Sequence, residues 1–177
     1  MPLNKFAISV QSAVALIAGL FITFSQSHDA NIAITGLVII ALGWCAASII
    51  FILANSNPFL NGFILLASGA MIYQAISFEP NNATTWAWIL LQAWGFFGAI
   101  AEIIFALRAG KKSAARRDHL ISALLAAGLF VSQISITEAA DSVSHVGFFG
   151  AYAIFLGVHL GISAATPSAA NLSSPKA

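Results

Sequence analysis

Six apolar runs, at about residues 6-24, 31-54, 58-78, 84-107, 119-137 and 143-165, occupy most of this chain of 177 residues. About 20 helical residues cross the ~30 Å hydrocarbon core of a bilayer, and each run has about that length. Lipid offers no partner to a bare backbone N–H or C=O, so apolar runs of this length must be helices. The segments between them carry polar and turn-forming residues, among them Ser25-Gln26-Ser27-His28-Asp29, Asn55-Ser56-Asn57-Pro58 and Glu79-Pro80-Asn81-Asn82. With 59% hydrophobic and 7% charged residues, the chain has too much apolar surface for disorder. It also has too few charges for a soluble domain, in which about a quarter of residues are charged. The expected fold is all-α: a polytopic membrane protein forming one six-transmembrane-helix bundle over 1-165, built from helical hairpins at about 6-54, 58-107 and 119-165. The Ala/Ser/Pro-rich segment 166-177 reads as a disordered cytoplasmic tail. Lys5 ahead of the first run gives it some likeness to a secretory leader, but it is longer than a leader core and forms half of the first hairpin. It is read as a retained span.

Position tells more than net charge. Five of the seven basic residues, Arg108, Lys111, Lys112, Arg116 and Arg117, fall within ten positions between the fourth and fifth runs. With the N-terminus and Lys5 in the cytoplasm, six crossings put every Lys and Arg on the cytoplasmic side. The opposite loops then hold Asp29, Glu79, Glu138 and Asp141 without a single cation. That distribution obeys the positive-inside rule with both termini in the cytoplasm. The basic patch also suits contact with anionic lipid, worth about 1 kcal/mol per charge; nucleic acid is not an expected partner. Trp86 and Trp88 suit an interfacial aromatic belt, and Trp44 and Trp94 read as packing residues. Cys45 has no second cysteine to pair with and reads as a small hydrophobe.

The runs also repeat. The second helix of each hairpin shows a seven-residue step to a glycine: Gly36 to Gly43, Trp88 to Gly95, Gly150 to Gly157. The first helix of each carries one glycine, at Gly19, Gly69 and Gly128. Seven residues return to one helix face, so these glycines are expected to form grooves into which a neighbouring backbone packs. In the first helix Ser12, Ala15, Gly19 and Thr23 follow the same rhythm. The segment GFFGA occurs twice, from Gly95 and from Gly147. The rhythm of GFFGAYAIFLGVHLGISAA, and of WGFFGAIAEIIFALRAGKK running into a basic loop, resembles the HdeD family of small bacterial membrane proteins over about residues 12-165. The resemblance implies six helices in short repeated hairpins, a place in the bacterial cytoplasmic (inner) membrane and a loose link to acid and envelope stress. It carries no catalytic residues.

Ionisable side chains within spans are functional candidates by default, because each costs at least ~2.5 kcal/mol at mid-membrane. Glu102 shares a stripe with Trp88, Gln92, Gly95, Ala99 and Ala106 and so points into the packed face. It reads as a near-interface acid that meets the basic loop through Lys111 or Arg116 or reaches interfacial water, as a protonatable or structural buried group, or as part of a transport path. His159 reads as a hydrogen-bonded packing residue or one that reaches interfacial water. At the outer face His28, Asp29, Glu138, Asp141 and His145 form an acidic, histidine-bearing rim. That rim is open to three readings: an ordinary solvated surface, a pH-responsive one or a weak divalent-metal site. No nucleophile elbow, phosphate loop or metalloprotease motif occurs, so neither enzyme activity nor a cofactor is expected. The chain reads as a non-enzymatic membrane protein or accessory subunit, with a small-solute or ion transporter as the alternative. Glycine-rich grooves also suit a homo-oligomer or a membrane-protein partner.

Overall fold

The structure, a computed structural model, describes residues 3–77, 83–136 and 141–166. These form six helices: α1 (Leu3–Phe24), α2 (Ala30–Leu53), α3 (Pro58–Ile76), α4 (Ala83–Arg108), α5 (Ala114–Ser135) and α6 (Ser142–Ala165). All six are long and apolar enough to span a bilayer. Phe24, Phe59, Leu66, Leu124 and Phe155 project outward, an arrangement that lipid tolerates and water does not. The chain is a multi-pass membrane protein. The expected tail beyond Thr166, together with Glu79 and Glu138, lies outside the described residues.

Local chemistry sets the helix ends. The Asp29 carboxylate accepts from the backbone N–H groups of Asn31 and Ile32, capping α2, and Asp141 caps α6 through Ser144 N at 3.1 Å. The α2–α3 turn uses two asparagines in the left-handed region, Asn55 at φ 53° and Asn57 at φ 48°, a conformation asparagine tolerates better than most residues. Pro58 then starts α3 with its φ already helical, and Asn61 Nδ2 donates back to Ser56 O at 2.6 Å. The fifth helix begins at Ala114, five residues before the apolar run does, because the Ser113 hydroxyl accepts from Arg116 N. Arg116 and Arg117 therefore lie on the first turn of α5, and the loop itself is short.

The helices α1, α2, α4, α5 and α6 form a ring closed by α6 against α1, and α3 packs on α2. Lys5 Nζ donates to Thr166 O, which puts the start of α1 and the end of α6 at one end of the ring. Among the described residues, all basic side chains gather at that end. The interior is rich in small residues: among the described residues, 15 of the 28 buried apolar ones are alanine, so the backbones approach closely. Two antiparallel seams dominate. At α1/α6, a Cβ on Gly19 would lie 2.9 Å from Ile154 N, a Cβ on Gly157 would lie 2.9 Å from Leu16 N, and Ser12 Oγ donates to Gly157 O at 2.7 Å. At α4/α5, a Cβ on Gly95 would lie 2.8 Å from Phe130 N and 2.9 Å from Ala126 O.

The three sequential pairs are unequal. In the first, Gly36 and Gly43 receive Ile22 and Val14 of α1, as their seven-residue spacing predicts. The middle pair hardly closes: α3 packs on α2 and barely touches α4, whose close neighbour is α5. Gly69 and Gly128 are not notches, since a Cβ on either would meet nothing within 4 Å. Trp44 and Trp94 pack edge to face at 5.8 Å between α2 and α4, the packing role expected of them. Trp86 is exposed, as a belt residue should be, but Trp88 turns inward.

Candidate functional site

Polar side chains inside the ring collect in two places. Near the basic end, α5 presents consecutive residues to opposite neighbours. His119 faces α4, where its Nδ1 lies 2.7 Å from Glu102 Oε2 and its ring stacks on Phe105 at 5.2 Å. Asp118 faces α6, accepting from Ser163 Oγ at 2.8 Å, and its backbone carbonyl meets His159 Nε2 at 3.0 Å. Arg117 reaches Asp118 only loosely, at 3.9 Å. Two polar clasps on adjacent residues thus join α5 to α4 and to α6.

Glu102 therefore has a partner in the basic segment, but a different one from the Lys111 or Arg116 suggested by the sequence. His119 is brought alongside because α5 starts early and runs antiparallel to α4. Arg108, Lys111, Lys112, Arg116 and Arg117 stay at the surface, four of them around a shallow open depression. His159 is a hydrogen-bonded packing residue, one of its two expected forms.

At the opposite end the expected rim separates into distinct roles. Asp29 and Asp141 are spent on helix caps. The Asp141 carboxyl is held below its ordinary value because Ser144 donates to its ionised form through both hydroxyl and backbone N–H. His28 is half-buried in its loop, and Glu138 lies outside the described residues. His145 is not a rim residue: it is 2% exposed, inside the ring. Its Nδ1 sits 2.6 Å from Gln133 Oε1, Gln133 Nε2 donates to its carbonyl at 3.0 Å, and Trp88 stacks on its ring at 4.3 Å and 9°. Gln133 supplies what burying an imidazole requires. Among the described residues, no three His, Cys, Asp or Glu side chains converge as a metal site would need.

Beside the Glu102 clasp lies a cavity that the sequence did not disclose. It sits where α3 and α4 barely touch and is lined by residues of all helices but α1. Trp44, Phe63, Trp94, Phe97 and Leu156 give it apolar walls, while Glu102, Ser68, Ser122 and Tyr152 supply polar atoms. Its volume of about 80 Å³ is enough for a few water molecules or one small head group. Comparison with family models, with curated proteins and with solved structures finds no match for this chain.

Proposed function

We propose that this chain is a non-enzymatic protein of the bacterial cytoplasmic membrane, with both termini in the cytoplasm, serving an acid- or envelope-stress role of the HdeD type. It acts alone or as an accessory subunit of a larger membrane complex. The observation that carries this reading is the Glu102–His119 clasp between α4 and α5. The clasp joins two helices through a pair of ionisable side chains, so this helix-to-helix contact is built on charge as well as on packing. The gathering of the described cations at one end supports the orientation.

Survival of a deletion strain after transfer to acidic medium tests the role. Loss of survival, restored by the intact gene and not by Glu102→Gln, is the expected result; survival equal to the parent refutes the stress reading. For the orientation, a Cys45→Ala background with single cysteines at Lys112 and at Ser27 should label from opposite sides of the membrane. Labelling of both from one side refutes the topology.

A second reading, transport of a small solute or ion, is favoured by the cavity, because it brings a carboxylate to a space between helices. Purified protein in vesicles that takes up solute without any partner supports it; a stoichiometric partner after native purification supports the accessory role.

A further inference from the structure

The cavity between α3 and α4 contains more hydrogen-bonding capacity than the protein itself uses. Ser9, Thr23, Ser25 and Ser135 spend their hydroxyls on the carbonyl four residues earlier, the usual economy of a membrane helix. Ser68 and Ser122 do not. They are 2% and 4% exposed, both line the cavity, and neither hydroxyl has a hydrogen-bond partner among the described residues. Glu102 uses Oε2 on His119 and leaves Oε1 without one. Three oxygens around one small space therefore await donors.

The identity of those oxygens narrows the ligand. A carboxylate only accepts, so the group that meets it must donate, and an anionic head is repelled. A primary ammonium carries three N–H donors and a positive charge that Glu102 balances. The aromatic walls suit the same charge, since the faces of Trp44, Trp94 and Tyr152 attract cations. Size narrows the ligand further. About 80 Å³ accommodates a head group but no long chain. Phe63 of α3 and Phe97 of α4 line the cavity and are also exposed on the outside of the bundle, so a gap between them would lead from the cavity to the bilayer. An alkyl chain can leave by that gap and remain in lipid.

We propose that this cavity binds the primary ammonium head of a single-chain amphiphilic amine, with Glu102 as counter-ion, Ser68 and Ser122 as hydrogen-bond partners, and the chain extending between α3 and α4 into the bilayer. The site stands independently of the stress reading and requires no transport.

Intact protein in phosphatidylcholine nanodiscs, followed by tryptophan fluorescence from Trp44 and Trp94, tests the proposal with dodecylamine as probe. Dodecanol and dodecyltrimethylammonium carry the same chain with, respectively, no charge and no N–H donor. Saturable binding of dodecylamine, tighter than either analogue by about tenfold or more, is expected. Glu102→Gln and Ser122→Val, the second of which fills the head-group space, should each weaken it by about tenfold or more. His119→Gln breaks the clasp but keeps the carboxylate, so it should still bind, which separates loss of the site from loss of the fold. Equal binding of dodecanol, or full affinity in either Glu102→Gln or Ser122→Val, overturns the proposal. Competition by phosphatidylethanolamine in the nanodisc assigns the amine to a lipid head group; absence of competition assigns it to a free amine.

Discussion

Replacing Gly95 by alanine, with Gly128→Ala as its match, measures what close packing contributes to this bundle. A Cβ at position 95 would stand 2.8 Å from Phe130 N, about 0.6 Å inside the 3.4 Å at which ordinary contact begins. The obstructing atoms are backbone, so no side chain can rotate away; α4 and α5 must part along their seam. Overpacking of this kind costs about 1–3 kcal/mol. Against that, alanine gains up to ~1 kcal/mol in intrinsic helix propensity over glycine. Gly128 receives the same gain with nothing within 4 Å to obstruct it. The difference between the two variants therefore cancels the propensity gain and leaves packing alone, at about 1–3 kcal/mol. Reversible unfolding by SDS titration in mixed micelles, read by tryptophan fluorescence, gives both values in one assay. Gly128→Ala should be neutral or stabilising and Gly95→Ala clearly less stable. A difference below ~0.5 kcal/mol, or the reverse order, would show that the α4/α5 seam is not held by backbone approach.

Three further outcomes are expected. A double-mutant cycle on Glu102→Gln and His119→Gln should give a coupling of about 1 kcal/mol near neutral pH, modest because the side chains are 24% and 35% exposed; a coupling indistinguishable from zero would separate the pair. Ser12→Ala should cost about 0.6 kcal/mol, an average for a hydrogen bond between membrane helices, and leave the α4/α5 seam untouched, as crosslinks placed across each seam would report. Because the Asp141 carboxyl is held below its ordinary value of 3.8, its cap on α6 is fully stabilising above that pH and is lost as pH falls through the lowered value. The protection factor of the Ser144 amide, taken relative to its intrinsic rate at each pH, should therefore fall in acid, and Asp141→Asn should abolish that acid dependence.

The spans were legible because hydropathy is a property of each segment taken alone, and so was the collection of cations at one end. Packing partners were not, because they depend on pairs of segments. Gly19, Gly69 and Gly128 occupy similar positions in their helices, yet only Gly19 meets a backbone. What distinguishes them is the partner, and no local pattern names it. The Glu102–His119 clasp did leave a signal. Glu102 stands eight residues before Gly110 and His119 eight after Lys111, equidistant from the turn, so an antiparallel register pairs them. Reading Ser113 as a helix cap would have supplied that register. The inward turn of His145 was hidden for a different reason: Gln133, on another helix, decides whether an imidazole can be buried. The cavity left no pattern at all, since it arises from how little α3 and α4 touch.

Closure of the ring by α6 on α1 also bears on how the molecule is made. Synthesis runs from the first helix to the last, so the longest-waiting surface belongs to α1, whose Ser12 and Gly19 groove finds its mate only when α6 emerges. Until then a polar hydroxyl and bare backbone face lipid, a surface that insertion factors must shelter and that a truncated product never covers. Emergence of α6 is thus registered in the membrane itself, as the disappearance of that groove.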